Sequence, residues 1–104
     1  MAISIHNVAR ENTRMGIDAA LEDFATHMRH KLLLTRHREH WKEATVKFLL
    51  SRLIGETVEL TDAIESGDRK SIVRECADVA NFAMMIADNE QWAGTRPWDS
   101  TEGR

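Results

Sequence analysis

Residues 55–81 read GETVELTDAIESGDRKSIVRECADVAN, and they hold two acidic pairs at i,i+3 spacing, Glu56/Glu59 and Glu75/Asp78. Between the pairs stands Ser66-Gly67-Asp68. Glycine suits the left-handed residue that follows a helix, and aspartate suits the cap that starts the next one. The stretch therefore predicts a helical hairpin. Its first arm starts at a Thr45 N-cap and carries one apolar stripe, Val46, Leu49, Leu50, Leu53, Leu60 and Ile64, ending near Ser66. Its second arm runs from the Asp68 cap to about Asp88. At a rise of ~1.5 Å per residue, Glu59 and Glu75 both lie about 9–10 Å from the turn. Glu56 and Asp78 lie three residues farther out, so the outer acids are level too. Helix axes ~8–10 Å apart are within the reach of such side chains.

Height does not settle direction, but the neighbours do. Glu75 and Asp78 share a face with Val79, Phe82 and Ile86, and Glu56 borders the stripe of the first arm. Glu22, Asp23 and Glu65, by contrast, read as scattered acids on solvated faces. Four carboxylates at the edge of a core repel one another and lose hydration, so a positive partner is required. An all-oxygen donor set favours a hard cation, magnesium first and manganese as its substitute. The acidic pairs thus predict a metal site.

Outward from the hairpin, the upstream segment predicts a helix from about Met15 to Arg36, with Ile17, Leu21, Phe24, Met28 and Leu32 at steps of three and four. A loop over roughly 37–44 holds Trp41, and residues 90–104 form an aperiodic tail. The fold class is all-α: one domain over residues 1–104, its core about 13–89. The second arm of the hairpin is apolar on two sides, with Ile72, Val73, Ala77, Ala80, Met84 and Ala87 on one stripe and Val79, Phe82 and Ile86 on another. A helix of this kind seeks burial on both. The expectation is a homo-oligomer that completes a four-helix-type bundle.

The composition, 42% hydrophobic and 30% charged, is that of an ordinary globular chain, and a net charge of −3 speaks against general binding of nucleic-acid polymers. No apolar run is long enough for a membrane span, and MAISIHNVAR lacks the plan of a signal peptide. The lone Cys76 fits a reducing compartment and reads as a small core residue. His27, His30, His37 and His40 raise zinc, yet no cysteine or nearby carboxylate completes a tetrahedral set. Glu-x-x-His motifs for a di-iron bundle do not occur, nor does a glycine-rich phosphate loop.

Glu56-Thr57-Val58-Glu59 followed by Glu75-Cys76-Ala77-Asp78, with DVANFAMMIAD running on from Asp78, resembles the MazG-type all-α nucleoside triphosphate pyrophosphohydrolases. Upstream, KLLLTRHREHW is similar to a segment of short, often phage-borne members. The resemblance implies magnesium on Glu56, Glu59, Glu75 and Asp78, with Glu56 or Glu59 accepting a proton from the attacking water. It also implies dimers or tetramers that hydrolyse a nucleoside triphosphate to monophosphate and pyrophosphate. The basic segment then acquires a role: Lys31, Arg36, His37 and Arg38 face the triphosphate, Asn81 a sugar hydroxyl or phosphate oxygen, and Trp41 the base. A cytoplasmic setting, in a bacterium or a phage-infected host, goes with it. One departure stands out, for Gly55 occupies a place where many members carry a further glutamate. Gly55 and the short chain motivate the alternative, a helical protein of the same architecture that binds nucleotides without turning them over.

Overall fold

The computed structural model describes residues 5–34 and 40–93, with burial and side-chain surroundings described for 13–34 and 41–93. Three helices follow in order: α1 (Ile5–Leu34), α2 (Val46–Ser66) and α3 (Arg69–Gln91), with a short 3-10 turn, His40–Glu43, between the first two. No strand occurs among the described residues.

The hairpin forms where its capping residues place it. Thr45 is extended and its hydroxyl accepts from the Phe48 amide at 3.1 Å. At the other end of α2, Gly67 adopts φ 77°, and its amide donates to the carbonyls of Ala63 and Ile64. That left-handed step costs a β-carbon-bearing residue ~1–2 kcal/mol. Asp68 then accepts from the Lys70 amide at 3.2 Å and the Ser71 hydroxyl at 2.7 Å, which opens α3. The Ser71 hydroxyl and the two amide donors hold the Asp68 carboxyl below its ordinary pKa.

The third helix is the element that the others share. It packs against α2 along the hairpin, against α1, and near its C-terminal end against the 3-10 turn. Trp41 secures this last contact: its indole Nε1 donates to Asp88 Oδ2 at 3.1 Å, while Asn89 Nδ2 donates to the Trp41 carbonyl at 2.7 Å.

Several expectations are corrected. The first helix begins ten residues before Met15, at Ile5, and the segment around Trp41 is helical rather than a plain loop. The stripe of α1 is not buried along its length. Phe24, Met28 and Leu32 are half-buried, whereas Ile17 and Leu21 are exposed, because among the described residues it is the C-terminal half of α1 that packs on α3. The last helix runs three residues past Asp88, so the tail begins later than residue 90. Finally, the buried line of α3 is Ala77, Asn81 and Met85, of which only Ala77 belongs to an expected stripe. A helix apolar nearly all round gives no phase from which to choose the innermost line. On α2 the fully buried positions are Leu49 and Ala63, and Val46, Leu50 and Ile64 of the expected stripe are exposed.

Candidate metal centre

Midway along the hairpin, α2 supplies Glu56 and α3 supplies Glu75 and Asp78. One carboxylate oxygen from each lies within 4.8 Å of the others. All three are half-buried. The two helices run antiparallel from a tight turn, so Glu56 and Asp78 are level. Glu75 precedes Asp78 by three positions, nearly a full turn, and therefore points to the same side.

Glu59 is exposed and does not join this trio. An i,i+3 step leaves side chains some 60° apart round the helix on either arm; α3 brings both Glu75 and Asp78 to the site, whereas α2 brings only Glu56. Glu59 stands at the solvent edge of α2. Its charge still reaches the site: Glu56 has its pKa raised, first by burial, then by Asp78 and Glu75, and to a smaller degree by Glu59, with Arg52 working in the opposite direction.

Two cations sit at the rim. Lys31 Nζ of α1 lies 3.3 Å from Asp78 Oδ2, and an Arg52 guanidinium nitrogen lies 3.6 Å from Glu56 Oε2. Glu75 has no such contact on one side, for its Oε1 is buried without a hydrogen-bond partner among the described residues. A buried carboxylate oxygen left bare is expensive. Together with two more carboxylates inside 4.8 Å and no sulfur or imidazole donor in the group, it fits a hard divalent cation. Among the described residues no histidine joins the group, and His27 and His30 are exposed on α1.

The other sequence-selected residues are placed as follows. Asn81 is 4% exposed, one turn beyond Asp78, and its Nδ2 donates to the Met28 carbonyl of α1 at 3.1 Å while its Oδ1 has no partner among the described residues. Trp41 is half-buried with its Nε1 engaged by Asp88. Arg36, His37 and Arg38 lie outside the described residues. Gly55 is exposed, and a β-carbon there meets nothing within 4 Å, so packing does not demand glycine. Arg52 was not singled out in the sequence. An i,i+4 Arg–Glu spacing was its only local signal, and that spacing is common on helix surfaces.

A helical hairpin that gathers three carboxylates, one of them with a bare buried oxygen, defines an all-α protein with a candidate divalent-cation centre. The model of the MazG nucleotide pyrophosphohydrolase domain matches residues 44–95, half of the chain, and the chain belongs to that family. The matched segment contains the whole hairpin and the trio, and it leaves α1 with Lys31 outside. Comparison with curated proteins and with solved structures finds no match. Among the described residues, no helix is long and apolar enough to cross a membrane.

Proposed function

We propose that this protein is a metal-dependent nucleotide pyrophosphohydrolase, converting a nucleoside or deoxynucleoside triphosphate to the monophosphate and pyrophosphate. The observation that carries the reading is the buried, unpartnered Glu75 Oε1 inside the Glu56–Glu75–Asp78 trio, within a hairpin of the MazG family. Glu56, Glu75 and Asp78 would hold magnesium, or manganese in its place, with Glu59 adding a carboxylate from the edge. A divalent cation in such a site neutralises phosphate charge and acidifies bound water.

The chain's own residues divide the remaining work. Glu56, the one α2 carboxylate that joins the trio, is suited by position to accept a proton from water. Glu59, exposed and one turn away, is its rival for that role. Lys31 balances Asp78 and holds it in place. Arg36 and His37 follow the end of α1 in sequence, where their charge serves the triphosphate tail. The half-exposed ring of Trp41 offers a stacking face for the base, and Asn81 Oδ1 offers an acceptor.

Self-association belongs to the same reading. Met15, Ile17 and Leu21 of α1 and Val46, Leu50, Ile54 and Val58 of α2 are among the exposed apolar side chains. A homodimer or homotetramer would bury such side chains against another copy. Cys76, without a disulfide partner, suits a cytoplasmic setting.

The test is a panel of canonical and damaged nucleotides, incubated with purified protein and magnesium or manganese, with pyrophosphate and orthophosphate scored separately. Pyrophosphate release that stops on chelation is the expected result. Orthophosphate as the first product, or no cation-dependent binding at all, overturns the reading. Cation-dependent nucleotide binding with no product after long incubation establishes the non-catalytic alternative.

A further inference from the structure

We propose that Arg52 is a substrate-binding residue: it pairs with Glu56 in the metal-free protein and grips the polyphosphate once cations are bound. The inference rests on the functional reading above and adds a residue to it. Arg52 lies on α2 one turn before Glu56, with a guanidinium nitrogen 3.6 Å from Glu56 Oε2. Its guanidinium carbon sits 5.4 Å from the ring centroid of Phe82, one turn beyond Asp78 on α3. The side chain thus spans the hairpin on the outer side of the trio, held by a charge contact to one helix and a ring contact to the other.

Exposure decides which way the guanidinium faces. The Arg52 side chain is 52% exposed, while that of Glu56 is 18%. The carboxylate is turned inward, and the arginine stands over it with much of its surface in water. A guanidinium has five donors in a fixed fork, and one loose contact at 3.6 Å leaves most of them to water. When a cation takes the Glu56 oxygens, Arg52 loses its anion and meets a like charge. A phosphate ligated to that cation is the nearest replacement, and the planar fork matches paired phosphate oxygens. The Phe82 ring preserves the position of the guanidinium during the exchange.

This exchange makes a prediction with two opposite signs, which a residue that only supports the fold does not produce. The probes are Mn²⁺ alone and the non-hydrolysable α,β-imido analogues of the common deoxynucleoside triphosphates with Mn²⁺. Binding is measured by calorimetry on full-length protein. In Arg52→Gln, Mn²⁺ alone binds about fivefold tighter, because a competing positive charge is gone. The analogue that the unsubstituted protein binds is weakened at least about tenfold. Arg52→Lys keeps the charge and loses the fork, so Mn²⁺ affinity is unchanged while analogue affinity falls. Unchanged analogue affinity in Arg52→Gln overturns the assignment, and so does parallel weakening of both ligands. Failure of the unsubstituted protein to bind Mn²⁺ defeats instead the functional reading on which the assignment depends.

Discussion

The α2–α3 hairpin and helix α1 are held by different means. The hairpin is capped at Thr45, turned at Gly67 and capped again at Asp68, and its two arms touch along their length. Helix α1 is the longest described element, at 30 residues, yet among its described side chains it is the C-terminal half that meets α3. Two polar contacts mark that junction. Asn81 reaches the Met28 carbonyl and Lys31 reaches Asp78, three residues apart on each helix and running antiparallel. A structure built by local signals carries the acids, and a structure built by distant contacts supplies a cation to them. The site therefore depends on the hairpin for its existence and on α1 for part of its charge balance.

The strongest way to break the comparison is at the trio. Glu75→Gln removes the buried anionic oxygen at nearly constant shape, and pyrophosphate release falls at least about a hundredfold, as expected for loss of a metal ligand. The helical circular dichroism stays the same. Full activity in that variant disproves the site.

Asn81→Leu attacks the junction. It deletes the Met28 contact together with the unpartnered Oδ1, and the misfit of a branched side chain in a fully packed position costs about 1–3 kcal/mol. Hydrogen exchange should show lost protection in α1 with the hairpin amides unaffected. Equal loss in both regions contradicts the separation drawn here.

Gly67→Ala attacks the hairpin instead. The residue is left-handed at φ 77°, and a β-carbon there costs about 1–2 kcal/mol although it meets no neighbour. The thermal midpoint falls, and the effect appears in α2 and α3.

Smallest is Glu56→Gln in metal-free protein. The folded-state pKa of Glu56 is raised, so the folded state binds this proton more readily than the unfolded state does. Its contribution to stability is therefore present below the unfolded pKa and lost as pH rises through the folded one. Replacing it by glutamine recovers the loss at neutral pH, less what the exposed Arg52 contact contributes, so the net gain is small. In melts with chelator present, the gain should vanish at pH values below the ordinary carboxylate range. A gain that grows on acidification refutes the sign.

Much of the hairpin was legible in the residues because its signals are local. A cap, a left-handed glycine and a second cap specify the turn within a few positions, and an antiparallel register then follows from counting. Level acids on opposing arms are a consequence of that count, as Glu56 and Asp78 show. Rotation was harder to read. Glu59 matches Glu75 in height but is exposed, and the i,i+3 spacing it shares with the α3 pair does not reveal which member of a pair faces the other helix.

The sequence by itself determined an all-α chain, the position of its turn and the identity of the acids that α2 and α3 present at one height. Only the tertiary structure decided that three of the four carboxylates share a centre, that Ala77, Asn81 and Met85 form the inner line of α3, and that Lys31 and Arg52 stand at the rim. Helix formation and capping are set by neighbours within one turn. Which face of a nearly all-apolar helix goes inward is set by every surface that competes for it, and those surfaces come from elsewhere in the chain.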